Sequence, residues 1–113
     1  MDCLFCKIVT GEVPAKIIYQ DELIVGFDDI FPQAPVHKVF IPKQHIATLN
    51  DLTDDDQALI GRLMLTAIQT AKQLDLAQNG YRIVNNCNAD GGQTVFHIHL
   101  HLLGGRRMHW PPG

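Results

Sequence analysis

Apolar and polar residues alternate in short runs along most of this chain, and the period changes once. Lys16-Ile-Ile-Tyr-Gln20 and Leu23-Ile-Val-Gly-Phe-Asp28 read as strands, and the polar pair Asp21-Glu22 between them suits a hairpin. Pro32-Gln-Ala-Pro35 breaks any regular element. His37-Lys-Val-Phe-Ile41 is the next strand, stopped by Pro42, and Tyr81-Arg-Ile-Val-Asn85 is a fourth. The long change of period lies between them. Leu59, Leu63, Ala67, Ala71 and Leu74, with Ile60 and Met64 alongside, recur at helical spacing. Thr53 and the three aspartates after it predict the start of this helix, because acids are favoured at the positive N-terminal end. The pattern runs to about Leu76, and Asn79-Gly80 is a good stop. Residues 3–10 predict one or two helical turns, ended by Gly11 and Pro14. The run Val95-Phe-His-Ile-His-Leu-His-Leu-Leu-Gly104 predicts the last strand. About five strands and one main helix make an α+β domain, a sheet with the helix on one face. The other face is left for a site or a partner subunit.

Composition narrows the function classes. The chain has 113 residues, which is one domain over 1–113 with room for a real core. Net charge is −3 and the pI is near 6.0, against the basic surface that a nucleic-acid backbone demands. A small nucleotide needs only a local cradle of N–H groups and stays open. No apolar run approaches a membrane span, and the N-terminal residues lack the basic and apolar regions of a signal peptide. Three cysteines, two of them three positions apart, fit thiols or a metal in a reducing cytoplasm better than a disulfide framework.

The last strand carries the chemistry. His97, His99 and His101 occupy alternate positions, so on a strand their rings share one face at roughly 6–7 Å spacing. A histidine nucleophile needs one ring nitrogen fixed as N–H so that the other presents its lone pair. No acid stands beside the row in sequence, so a backbone carbonyl is the expected orienting group. Phosphorus is a suitable electrophile, because a phosphoryl-histidine splits one displacement into two. Gly91-Gly92-Gln93-Thr94 lies directly before the row, where glycine lets backbone N–H groups face an anion and Thr94 adds a hydroxyl. The rival reading is a catalytic zinc on the alternating histidines, for which the usual supporting carboxylates are not evident. Cys3-x-x-Cys6 is either half a zinc site, with His45 available, or a packing pair on a helical turn. Asp28-Asp29 suits sugar hydroxyls or a solvated turn. Arg106-Arg107 reads as solvated, and Trp110 in the stiff tail Trp110-Pro-Pro-Gly113 suggests docking onto a symmetry mate.

These residues resemble a known family. His97-Ile-His-Leu-His101-Leu-Leu is similar to the His-φ-His-φ-His-φ-φ signature (φ apolar) of the histidine triad superfamily. Asp29-Ile-Phe-Pro-Gln-Ala-Pro-Val-His37, Ile41-Pro-Lys-Gln-His45, Asp90-Gly-Gly-Gln-Thr94 and Leu103-Gly-Gly-Arg-Arg-Met-His-Trp-Pro-Pro-Gly113 resemble its Hint branch, the histidine triad nucleotide-binding proteins. The resemblance implies a homodimer whose sheets join into one. It implies hydrolysis of the P–N bond of AMP–amine conjugates and of acyl-adenylates, with AMP or GMP as the nucleotide. Dinucleoside polyphosphate hydrolysis and a non-catalytic nucleotide-sensing adaptor are the alternatives. It further implies His99 as nucleophile, His101 assisting the leaving group, and His97 and His37 in support. Asp29 is implied at the ribose, with Phe5, Ile8, Phe27 and Ile30 on the base, and Asn86, Gly92, Gln93 and Thr94 around the phosphate. Trp110 would lie near the partner's site. Thr94 stands where many relatives have serine. Cys3, Cys6, His45 and His97 map onto a structural zinc site of other superfamily members, and no cofactor is needed for the chemistry itself. Histidine rather than glutamine at position 101 favours water as the final acceptor.

Overall fold

The computed structural model describes residues 2–113. Its elements are α1 (Leu4–Thr10), β1 (Ile17–Gln20), β2 (Ile24–Asp28), β3 (Val36–Pro42), α2 (Gln57–Gln73), β4 (Tyr81–Val84) and β5 (Leu100–Gly104). The five strands form one antiparallel sheet in the order β1-β2-β3-β5-β4. The expected α+β architecture is therefore present, with α2 covering one face.

Alternation along the strands sorts the side chains between two cores. Ile24, Phe40, Leu100 and Leu102 point to one face and meet Leu63, Ala67 and Ala71 of α2. Their neighbours Val25, Phe27, Val39 and Ile41 point to the other face and meet Cys3 and Phe5 at the start of α1. Strands β2 and β3 are thus covered on both sides, and the second cover is the short N-terminal helix. Gly26 permits one close approach, since a Cβ there would stand 2.7 Å from the ring of Phe40.

Local signals explain the ends. Cys3 caps α1 through its Sγ, which accepts from the Cys6 N–H at 3.4 Å, and Gly11 closes it in a left-handed conformation at φ 82°. Thr53 forms a capping box with Asp56, but the first turn is a 3-10 helix over Asp54–Asp56, and α2 proper begins at Gln57. The helix also ends at Gln73, short of the expected Leu76. Asp75 turns left-handed at φ 59°, and Leu76 folds back into the core under Gly104. Arg62 of α2 ties the helix to the β1–β2 hairpin, donating to Asp21 at 2.9 Å and to Glu22 at 3.1 Å.

The largest departure from the sequence reading is the histidine strand. Regular pairing begins at Leu100 rather than Val95, so only His101 of the three lies in β5. The cause is the end of β3. Pro42 has no N–H to donate, its carbonyl is taken by the His97 ring, and the Ile98 N–H reaches past it to the Ile46 carbonyl at 2.7 Å. Residues 95–99 therefore follow the 43–47 segment out of the sheet. Among the described residues, no helix is long and apolar enough to cross a membrane.

Leu102 is fully buried between the sheet and α2. Replacing it with alanine is expected to lower unfolding free energy by about 2–5 kcal/mol. Urea denaturation measures this, and a loss below about 1 kcal/mol would contradict the packing described.

Candidate active site

A cavity of about 270 Å³ opens on the face opposite α2. Its apolar walls are Leu4, Phe5 and Ile8 of α1 with Phe27 and Val39 of the sheet. Asp29, Ile30 and Phe31 line it from the β2–β3 loop, Thr94 and Val95 from the loop before β5, and His99 and His101 complete the lining. Ile30 and Phe31 are 82% and 73% exposed, unusually so for large apolar side chains, and both belong to this cavity.

Hydrogen bonds fix the tautomers of the four site histidines. A carbonyl oxygen only accepts, so the ring nitrogen facing it carries the proton. His99 Nδ1–H donates to the His97 carbonyl at 2.8 Å, which leaves Nε2 as the lone-pair nitrogen. His97 Nε2–H donates to the Pro42 carbonyl at 2.7 Å, which leaves its Nδ1 as the lone-pair nitrogen. His37 Nδ1 accepts from the Gln33 backbone N–H at 3.0 Å, so its Nε2 holds the proton. That Nε2–H donates to His101 Nδ1 at 2.9 Å, and the remaining proton of His101 sits on Nε2. The result is a nucleophile-type nitrogen on His99 beside a donor-type nitrogen on His101, with the two ring centres 4.9 Å apart.

The acid missing from the sequence neighbourhood arrives through the fold. Asp29 Oδ2 lies 3.4 Å from His37 Nε2, while Oδ1 accepts the Phe31 N–H at 2.8 Å and anchors its own turn. The carboxylate keeps lone pairs free for a ligand hydroxyl. Asp28 is committed elsewhere, paired with Lys38 and Lys16.

Burial governs the electrostatics. It holds the imidazoles of His97 and His99 below their ordinary values, against the hydrogen bonds that each donates to a backbone carbonyl. His37 is lowered by burial, opposed by Asp29. His101 falls furthest, to about 4, through burial and the adjacent His99 and His37. All four rings are therefore neutral at pH 7.

The first histidine of the row lies in different surroundings from the other two. His97 faces away from the cavity toward Cys3, Cys6 and His45, and their four ligand atoms all lie within 4.8 Å of one another. Cys3 Sγ to His97 Nδ1 is 3.5 Å, Cys6 Sγ to His97 Nδ1 is 3.6 Å, Cys6 Sγ to His45 Nδ1 is 3.3 Å, and the two Nδ1 atoms are 3.3 Å apart. Zinc bonds of about 2.0–2.3 Å in a tetrahedron place ligand atoms about 3.3–3.8 Å apart. The donor set and its spacing fit such an ion, and the Pro42 carbonyl has already turned the His97 lone pair inward.

The structure does not bring every expected phosphate residue to the cavity. Gln93 is buried, with its amide donating to the Ala47 and Val95 carbonyls and its oxygen accepting from Asn88 N–H. The backbone N–H groups of Gly92 and Gln93 are spent on the Ala89 and Asn88 carbonyls. These two residues shape the loop, and Thr94 is the one of the set that reaches the cavity. Asn86 lies in a separate depression with Arg82 and Met108, under the C-terminal tail. Sequence reading missed Asn85, which donates to the His99 carbonyl at 2.8 Å. A lone asparagine at a strand end gives no signal of that kind. Arg106 and Arg107 are exposed as expected, although Arg106 also donates to the Gln33 carbonyl, and Trp110 is 82% exposed.

A four-histidine site on a five-stranded sheet with a single covering helix defines a histidine triad domain. The HIT domain family model matches residues 10–108, and the chain belongs to that family. It is 53% identical to an uncharacterized HIT-like protein of Synechococcus elongatus, over 99% of this chain and 97% of that one. It is 46% identical to the purine nucleoside phosphoramidase of Escherichia coli K12, over 95% of this chain and 90% of that enzyme. The crystal structure of a HIT family hydrolase from Legionella pneumophila superposes with a TM-score of 0.98 at 54% identity, covering 99% of this chain and 100% of that one.

The depressed imidazoles give a pH prediction. A histidine with a folded value below its unfolded one, near 6.5, contributes stability that is complete above that unfolded value. The contribution is lost as pH falls through the folded value, which for His101 is about 4. The urea midpoint is expected to stay level from pH 8 to about 7 and then fall toward pH 4. A His101→Gln variant should show a shallower fall. A midpoint that rises on acidification would contradict the buried neutral rings.

Proposed function

We propose that this protein hydrolyses the P–N bond of AMP–amine conjugates, and acyl-adenylates, through a nucleotide bound covalently to His99. The supporting observation is the fixed tautomer of His99, with Nδ1–H held by the His97 carbonyl and Nε2 left to attack. The name of the Escherichia coli relative agrees with this substrate class.

In this reading the base lies among Phe5, Ile8, Phe27 and Ile30, and Asp29 accepts from the ribose hydroxyls. The phosphoryl group lies between Thr94, His99 and His101. Its negative charge restores what burial took from the His37–His101 pair, and the pair gains a proton with the substrate. His99 Nε2 then forms a bond to phosphorus as the P–N bond breaks. The electron pair stays on the leaving nitrogen, which takes the proton from His101. Water attacks phosphorus in the second displacement, releases AMP, and returns a proton to the same pair. His37 keeps the pair in register through its bond to His101 Nδ1.

Cys3, Cys6, His45 and His97 would hold a structural zinc, with all four positions filled by protein and none left for substrate. Such an ion cross-links α1 to the segment that carries the nucleophile. The catalytic unit is proposed as a cytoplasmic homodimer, because β4 is an open sheet edge and Trp110 stands exposed beyond it.

Incubation with an AMP–amine conjugate should release AMP and trap one adenylate on His99 by mass spectrometry. His99→Ala should lose release by roughly a thousandfold or more. Retained turnover in that variant would end the covalent reading, and faster cleavage of a dinucleoside polyphosphate would reassign the substrate. Elemental analysis should find one zinc per chain, lost together with thiol protection in Cys6→Ser. A native preparation with free, reactive thiols and no zinc would remove the metal.

A further inference from the structure

The nucleophile sits where the sheet has already given out. Regular pairing in β5 starts at Leu100, so His99 lies one residue outside the strand, buried and in irregular backbone. Two bonds grip it. Its ring is held by the His97 carbonyl at 2.8 Å, and its own carbonyl accepts from Asn85 Nδ2 at 2.8 Å. Asn85 is the first residue beyond β4, whose pairing with β5 ends at Val84 opposite His101. Its side chain thus continues the support of β5 by one residue where regular pairing has stopped.

The same amide carries a defect. Asn85 Oδ1 is shielded from solvent and has no hydrogen-bond partner among the described residues. A buried acceptor without a donor is destabilising, and an apolar residue of the same size removes it. The donating half of the side chain is useful to the fold only through the His99 carbonyl. From this pairing of an unpaired half with a useful half, we propose that Asn85 is a positioning residue. It fixes the backbone of His99 so that Nε2 stays aimed at the phosphorus. It touches neither substrate nor the reacting atoms. The inference rests on the proposed covalent role of His99.

The test compares Asn85→Leu and Asn85→Ser with the native protein. Leucine keeps the branched shape, removes both the donor and the orphaned acceptor, and leaves the His99 carbonyl without its partner. Serine keeps a hydroxyl on a stem too short to reach the His99 carbonyl, and it supplies the answer if the leucine variant does not fold. Single-turnover formation of the His99 adenylate and kcat should fall roughly tenfold in both variants, the worth of one oriented hydrogen bond. KM should stay within about twofold, because the cavity walls are untouched. The urea midpoint of Asn85→Leu should stay close to the native value, because the unpaired Asn85 Oδ1 is exchanged for an unpaired His99 carbonyl. The His99 Nδ1–H resonance in proton-detected NMR should broaden or move. Native rates in both variants would overturn the proposal. So would a fall in rate matched by a lower midpoint and a raised KM, since that is the pattern of general loosening. Should the native protein itself release no AMP, the covalent reading fails. The NMR comparison then decides the positioning role alone, with an unchanged His99 resonance overturning it.

Discussion

The carbonyl oxygen of His97 holds the Nδ1 proton of His99, and the rest of the site depends on that bond. Without it the imidazole of His99 has no fixed tautomer and no fixed direction. The carbonyl can serve because His97 itself is buried and held. Its Nε2–H is tied to Pro42 at the end of β3, and its Nδ1 faces two thiols and His45. One residue therefore joins the sheet, the N-terminal helix and the reactive ring. Backbone and side chain of His97 thus meet different partners, the carbonyl holding His99 and the ring facing Pro42, His45 and the two thiols.

Placing the site opposite α2 follows from the same constraint. A strand central to a sheet has two faces, and here one is filled by aliphatic residues against the helix. The other cannot be left to water, because Val25, Phe27, Val39 and Ile41 lie on it. The seven residues of α1 cover part of it and leave the remainder as the cavity. So short a helix has little stability of its own. It is held by Phe5 in the core and by Cys3 and Cys6 beside His45 and His97. One wall of the cavity and two of the four candidate zinc ligands, Cys3 and Cys6, thus come from the same short segment.

Burial then tunes the chemistry. Imidazoles in water would be partly charged near neutral pH, and cationic rings would not attack phosphorus. Packing the rings against Phe5 and one another keeps them neutral, lowest at His101. The relay from Gln33 through His37 to His101 gives each neutral ring a single orientation. A negative phosphoryl group entering such a site meets oriented donors and a pair of rings ready to accept a proton. That is a reading in which the substrate's own charge switches the acid on.

Much of this was legible in the residues. The period of two in β2 and β3, the period of 3.6 in α2, the Thr53 cap and the alternating histidines are local properties, set by neighbours in the chain. The cysteine pair and the glycine after α1 are local too. Residues far apart in sequence decided the rest. Pro42 halted the ladder and turned His97 away from its two companions, so that one ring of the row lies with Cys3, Cys6 and His45 and the other two line the cavity. Asp29 reached the histidines across a loop, Gln93 was drawn into holding that loop rather than an anion, and Asn85 came to the back of His99. Sequence fixes what each segment prefers because those preferences arise from dihedrals and side-chain period over a few residues. Which lone pair faces which proton depends on distances across the sheet, and only the folded chain sets those.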